Sequence, residues 1–200
     1  MVKNFILEKF EKEKNNGTDI NQHLETIKKY ASECEHVTEM GVRGIISTWA
    51  LLAAKPKKIV CYDVSNLNVS EPKKAAEENG IEFIFINADV LTVSIEKTDL
   101  LFIDTLHRYL QLKKELENHA SNVNKYIIMH DTTTFGTIDE PIYQPSCKLL
   151  NINSEKQGLV PALEEFLESE EGKNWTIKEV FTNNNGLTII ERKKCQIALS

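Results

Sequence analysis

The sequence predicts an α/β fold, an open sheet with helices on both faces, and three observations carry that reading. Short apolar runs of strand length recur at 36–40 (HVTEM), 58–63 (KIVCYD), 81–87 (IEFIFIN), 99–104 (DLLFID) and 125–130 (KYIIMH). Several are apolar throughout, as expected of strands covered on both faces of a parallel sheet. The segments between them, 45–54, 71–79 and 107–121, have helical length and polarity, which completes a β-α alternation. Near the C-terminus the alternation breaks. TIKEVF and LTIIER are joined only by the turn residues NNNG, and so short a link permits an antiparallel hairpin and no parallel crossover.

Taken in order, Val2, Phe5, Ile6 and Phe10 recur at helical spacing, and Ile20, Leu24, Ile27 and Ala31 do so again after the break NNGTD. Residues 1–33 are thus expected as two amphipathic helices, followed by a cofactor-binding core over 34–131. The stretch 132–157, with Phe135, Tyr143 and two prolines, is long for a passive connection and reads as a substrate-covering lid. An amphipathic helix, LVPALEEFLE, and the hairpin fill 158–200. With 200 residues the expected unit is a single domain, 1–200.

Composition removes several function classes. Hydrophobic residues make up 41% and charged residues 27%, which is a globular composition, and no apolar stretch has membrane-spanning length. The N-terminus interleaves charge with apolar residues and lacks a signal-peptide core, so a cytoplasmic location is expected. Thirty acidic against twenty-four basic residues give a net charge of −6, the wrong sign for non-specific binding to nucleic acid. Cys34, Cys61, Cys147 and Cys195 form no C-x-x-C pair, which fits free thiols and not structural zinc. A homo-oligomer is compatible with the sequence but nothing in it specifies one.

Ligands of open α/β sheets lie beyond the carboxyl ends of the strands, where strand order reverses. Those positions hold Glu39-Met40-Gly41, Asp63, Asn87-Ala88-Asp89, Asp104 and His130-Asp131. One terminal Asp is often only a cap, but a carboxylate after nearly every strand asks for another explanation. Gly41 lets backbone approach a ligand closely, and Asp63 stands where an acid can hold ribose hydroxyls. NAD is disfavoured because Glu39 replaces the first glycine of the dinucleotide fingerprint and repels phosphate. The absence of G-K-[ST] excludes a P-loop. A carboxylate at 39 suits a ligand carrying an ammonium group and no phosphate, a description that S-adenosyl-L-methionine meets.

Seven stretches together resemble the class I S-adenosylmethionine-dependent methyltransferases. They are 37–52 (VTEMGVRGIISTWALL), 60–63 (VCYD), 87–90 (NADV), 99–109 (DLLFIDTLHRY), 127–132 (IIMHDT) and the tail segments 158–167 and 184–192. The similarity is to the small group that includes cephalosporin-hydroxylase-like proteins and macrolide or sugar O-methyltransferases, and it extends from about Asp19 onward. It implies a Rossmann-like sheet of seven strands with the last antiparallel. It also places Glu39 and Gly41 beside the amino-acid moiety of the cofactor, Ser47 at its carboxylate, Asp63 on the ribose and Asp89 near the adenine. The second glycine of the family's E-x-G-x-x-x-G falls at Ile45, with Gly44 one residue early.

Asp104, His107, His130 and Asp131 follow the fourth and fifth strands and are expected to converge near the transferred methyl. Three readings stand open. A divalent ion, Mg²⁺ or Mn²⁺, held by Asp104 and Asp131 with His130 beside them would lower the pKa of a substrate hydroxyl. Alternatively His107, with an unperturbed pKa near 6.5, removes the hydroxyl proton as general base, Leu106 having replaced the second carboxylate of the macrolide-type D-x-D. Or the group is structural. The expected activity is methylation of oxygen on a small molecule or sugar. Its alternative is a non-catalytic partner protein that binds the same cofactor. His23, His36, His119, Trp49 and Trp175 are read as packing or surface residues, and Arg43 either meets the cofactor carboxylate or forms a surface ion pair.

Overall fold

In a computed structural model, which describes residues 5–141 and 154–194, seven strands form one sheet. They are His36–Met40 (β1), Lys58–Asp63 (β2), Glu82–Asn87 (β3), Thr98–Ile103 (β4), Val123–His130 (β5), Trp175–Phe181 (β6) and Leu187–Arg192 (β7). The order across the sheet is β3-β2-β1-β4-β5-β7-β6. The first five run parallel, and β7 lies antiparallel between β5 and β6. Six helices accompany them: Phe5–Lys14 (α1), Leu24–Ala31 (α2), Ile46–Ala53 (α3), Ser70–Glu78 (α4), Tyr109–His119 (α5) and Leu159–Glu168 (α6). This is the Rossmann-like arrangement that the strand pattern and hairpin predicted. Among the described residues no helix is long and apolar enough to cross a membrane.

The continuous apolar strands feed two cores. Successive side chains of a strand point to opposite faces, so Ile59, Cys61, Leu100 and Phe102 join α1, α2, α3 and α4 on one side. Val60, Tyr62, Leu101 and Ile103 join α5 and α6 on the other. Each aliphatic or phenylalanine side chain among these, fully buried, contributes about 1.5–3 kcal/mol, which is why the middles of β2, β4 and β5 are apolar. Polar residues are nonetheless buried in these strands, Thr38 and Glu39 in β1, Thr98 in β4 and His130 in β5, and Glu39 stands beside the site.

Element ends differ from expectation for identifiable reasons. The predicted helix 45–54 starts one residue later because Ile45 is left-handed, at φ 62°. The predicted helix 107–121 spans only 109–119, since Arg108 is extended (φ −133°, ψ 149°) and a 3₁₀ turn takes over at Ala120–Asn122. The fourth strand ends at Ile103, so Asp104 stands just past it. The C-terminal hairpin turns through Asn184 (φ 48°), Asn185 (φ 70°) and Gly186 (φ 96°), a left-handed run that Asn and Gly adopt most readily. Of the predicted lid, residues 142–153, including Tyr143, lie outside the described residues. Its described part is docked: Phe135 N donates to Asp131 O at 3.0 Å, Glu140 N to His107 O at 2.8 Å and Leu159 N to Phe135 O at 2.9 Å.

Candidate functional site

Strand order reverses between β1 and β4, and there the two chain segments meet almost backbone to backbone. Asp104 N donates to Met40 O at 2.9 Å. A Cβ on Gly41, at φ +85°, would lie 1.9 Å from Asp104 O, so only glycine fits. A cavity of about 300 Å³ opens beside this junction, lined by Asp19, Gly41, Ser47, Asp63, Asp89 and Asp104 among others.

In its first half, over β1, β2 and β3, each carboxylate is spent on the chain itself. Asp63 Oδ2 accepts from Val42 N at 2.9 Å and Arg43 N at 3.0 Å, while its Oδ1 accepts from Ser65 N at 2.7 Å. It fastens the 41–45 loop and at the same time faces the cavity. Asp89 Oδ1 accepts from Leu91 N at 2.9 Å. Glu39 is fully buried and stands behind the cavity wall, not in it. Ser47 Oγ donates to its Oε1 at 2.6 Å and Thr48 Oγ1 to its Oε2 at 2.8 Å. Burial pushes the Glu39 carboxyl up to about 7, against the pull of hydrogen bonds from Ser47, Cys61 and Thr48. Ser47 does line the cavity, so any influence of Glu39 on a ligand passes through that hydroxyl. Ile45, at the position of the family's second glycine, keeps the left-handed backbone a glycine would adopt, and its Cβ branch makes that costly.

The second half is an ion-paired knot. His107 Nε2 lies 3.1 Å from Asp104 Oδ1 and 3.0 Å from Asp131 Oδ2, and its Nδ1 lies 2.9 Å from Glu140 Oε2. Its ring stacks on Phe135, 5.1 Å between centroids and 3° from parallel. His130 Nδ1 faces the same two aspartates at 3.5 and 3.4 Å, while its Nε2 donates to the carbonyls of Asp19 and Asn184. Burial favours the neutral imidazoles, but the surrounding carboxylates outweigh it, raising His107 to about 11 and His130 to about 10. Burial likewise opposes ionisation of Asp104, and the two histidines overcome it and hold that group at about 2. Asp131 is lowered for the same reason.

The reading of His107 as a base rests on an ordinary pKa near 6.5, and the three carboxylates around the ring raise it well above that. The donor set nevertheless fits a divalent cation. One atom each from Asp104, His107 and Asp131 lies within 4.8 Å of the others, and buried Asp131 Oδ1 has no hydrogen-bond partner. Glu140 receives the other ring N–H of His107, the usual support of a ligating histidine. The third vertex of this cluster is His107, where the sequence reading put His130.

Four residues around the cavity escaped the sequence reading. Glu140 sits in the stretch read only as lid, and Asp19 precedes a helix. Thr105 and Gln111 line the cavity above buried Glu115, and a run of polar residues one turn apart on α5 was the signal for Gln111. His23 and His119 are buried and meet the carbonyls of Asn183 and Val90, Nδ1 of His119 having no partner among the described residues, and Trp49 and Trp175 are core residues. Cys34 and Cys61 are buried free thiols, while Cys147 and Cys195 lie outside the described residues.

Neither a protein-family model nor a curated protein sequence matches the chain. Solved structures share its fold. It is similar to a putative O-methyltransferase from Klebsiella pneumoniae, at TM-score 0.59 and 14% identity, over 94% of this chain and 88% of that one. Similarity to the S-adenosylhomocysteine-bound methyltransferase PaMTH1 of Podospora anserina has TM-score 0.57 and 16% identity, over 94% and 88% of the two chains. The N-methyltransferase NodS of Bradyrhizobium japonicum, also bound to S-adenosylhomocysteine, matches at TM-score 0.57 and 12% identity, over 94% and 99%. The seven-stranded architecture is therefore that of structures which include methyltransferases.

Proposed function

We propose that the chain is an S-adenosylmethionine-dependent methyltransferase acting on a hydroxyl oxygen of a small molecule or sugar. One observation carries this: the loop amides after β1, which in a dinucleotide site face a pyrophosphate, are filled by a carboxylate. With Val42 N and Arg43 N donating to Asp63, no anion cradle is left. The walls instead carry Asp19, Asp63, Asp89 and Asp104, which favours a cationic nucleoside without phosphate. S-adenosylmethionine, when bound, supplies a methyl group on a sulfonium centre. Gly41 and Ser47 would hold its amino-acid end, Asp63 its ribose, and the Asp89 wall its base. Titration calorimetry tests this. S-adenosylhomocysteine should bind and NAD⁺ should not, and the opposite pattern would overturn the assignment.

The hydroxyl acceptor rests on the resemblance to macrolide and sugar O-methyltransferases and on the knot beyond β4 and β5. Asp104, His107 and Asp131 would hold a divalent cation, Mn²⁺ suiting the mixed oxygen and nitrogen set better than Mg²⁺, and a bound cation would lower the pKa of a coordinated hydroxyl. The chain's own part is to fix the His107 ring through Glu140 and Phe135 and to shield the knot from water. A second reading, a binding protein without catalysis, is favoured by the upward shift of both histidines, which disfavours a neutral base in the cation-free site. Release of S-adenosylhomocysteine from S-adenosylmethionine, across a panel of hydroxylated acceptors with and without Mn²⁺, separates the two.

A further inference from the structure

We infer that Gln111 selects the base of the cofactor, accepting a hydrogen bond from the exocyclic amine of adenine and rejecting a 6-oxo purine. The inference rests on the cofactor reading above and adds a specificity-determining residue to it.

The buried side of α5 carries a polar stripe. Gln111, Glu115 and His119 stand one turn apart and are 5%, 0% and 0% exposed. His119 Nε2 donates to Val90 O at 2.9 Å, tying α5 to the loop that bears Asp89. Gln111 Nε2 donates to Glu115 Oε1 at 2.7 Å, and Thr105 Oγ1 donates to the same oxygen at 2.6 Å. Gln111 and Thr105 line the cavity together with Ala88 and Asp89, whereas Glu115 does not.

A carboxyl buried this deeply is costly, and burial pushes Glu115 up to about 7 against those two hydrogen bonds and the His107 charge. What it accomplishes is to orient an amide. Oε1 of the Glu115 carboxylate already accepts twice and Oε2 has no partner, so the ionised group offers only acceptors. Reversing the Gln111 amide would set its carbonyl against an oxygen that has only lone pairs to offer. The amide nitrogen is therefore spent beneath the wall, and the carbonyl oxygen is the polar atom left for the cavity. An uncharged acceptor held in one direction pairs with an amine. Facing a 6-oxo group it would meet a second acceptor, leaving both buried and unpaired.

The test compares S-adenosylhomocysteine with its deaminated analogue, S-inosylhomocysteine, by titration calorimetry on the whole chain. The unmodified protein should prefer the adenine compound by about 10–100-fold. Gln111→Leu should collapse that ratio toward unity. Gln111→Met, of similar length and also without an acceptor, should do the same and covers the case in which the leucine variant fails to melt cooperatively. Glu115→Leu frees the amide and should lower the ratio, while Glu115→Gln keeps an acceptor and should preserve it. A ratio unchanged in Gln111→Leu and Gln111→Met overturns the inference and leaves the cofactor reading standing. Failure of the folded, unmodified protein to bind S-adenosylhomocysteine overturns both.

Discussion

The two halves of the cavity use the same residue type in opposite ways. Over β1, β2 and β3, carboxylates accept hydrogen bonds from nearby loop amides and from hydroxyls of the helix that follows β1: Asp63 from Val42, Arg43 and Ser65, and Glu39 from Ser47 and Thr48. Beyond β4 and β5, carboxylates from three separate segments, Asp104, Asp131 and Glu140, converge on histidines. The first half shapes a surface for a ligand. The second concentrates opposite charges in a buried cluster, and it is expected to be the more sensitive to pH and to single substitutions.

The comparison is broken most severely at His107. His107→Ala should lower turnover by roughly 10²–10⁴-fold, whether the ring ligates a cation or positions the acceptor, while S-adenosylhomocysteine affinity stays close to that of the unmodified protein. Steady-state kinetics paired with calorimetry checks this, and a matching loss of cofactor affinity would erase the distinction between the halves. Asp131→Ala acts on the same knot by removing the carboxylate shared by both rings, leaving His107 and His130 short of counter-charge. Breaking a buried pair in this way costs about 3–5 kcal/mol, measurable by urea denaturation.

The knot also sets a pH signature. His107 and His130 are raised, so the stability they contribute is complete below about pH 6.5 and is lost as pH climbs through about 10 and 11. Asp104 is lowered, and its contribution, complete above about pH 3.8, is lost as pH falls through about 2. The raised carboxyls Glu39 and Glu115 lose theirs between about pH 4.5 and 7. Denaturation midpoints taken at about pH 7.5 and 9.5 therefore report chiefly the histidines, the buried thiols Cys34 and Cys61 adding to the fall only above about pH 9. The midpoint should fall between these values in the unmodified protein and fall less in His107→Ala, and equal slopes would place the ion pairs elsewhere.

Smaller effects sharpen the first half. Asp63→Ala should weaken S-adenosylmethionine binding by about 1.5–3 kcal/mol. The sequence alone suggests that the fold would be untouched, but three backbone amides depend on this carboxylate, so the melting temperature should drop as well. Asp63→Asn, which keeps one acceptor oxygen, should recover part of both losses. At Ile45 the expected difference is smallest. Ile45→Gly and Ile45→Ala lose similar packing, but only glycine is at ease at φ 62°, so the glycine variant should be the more stable by about 1 kcal/mol. A more stable alanine variant would mean that the loop relaxes out of its left-handed turn.

What was legible in the sequence follows the same division. Strand periodicity, the Asn-Gly turn and a carboxylate at each strand end are local patterns. They determined the α/β class, the C-terminal hairpin and the cavity residues Gly41, Asp63, Asp89 and Asp104, because backbone geometry projects residues at strand ends to one edge of a sheet, whereas Ser47, on a helix, was named only by the family resemblance. No local pattern tells where a side chain spends its hydrogen bonds. Only the tertiary structure withdrew Glu39 behind the wall, turned Asp63 inward onto the loop amides and brought Glu140 from the segment after β5 onto His107. The protonation of His107 was decided there too, since a pKa depends on every charge and every water displaced within a few ångströms, and those neighbours come from chain positions up to 36 residues apart (104 to 140).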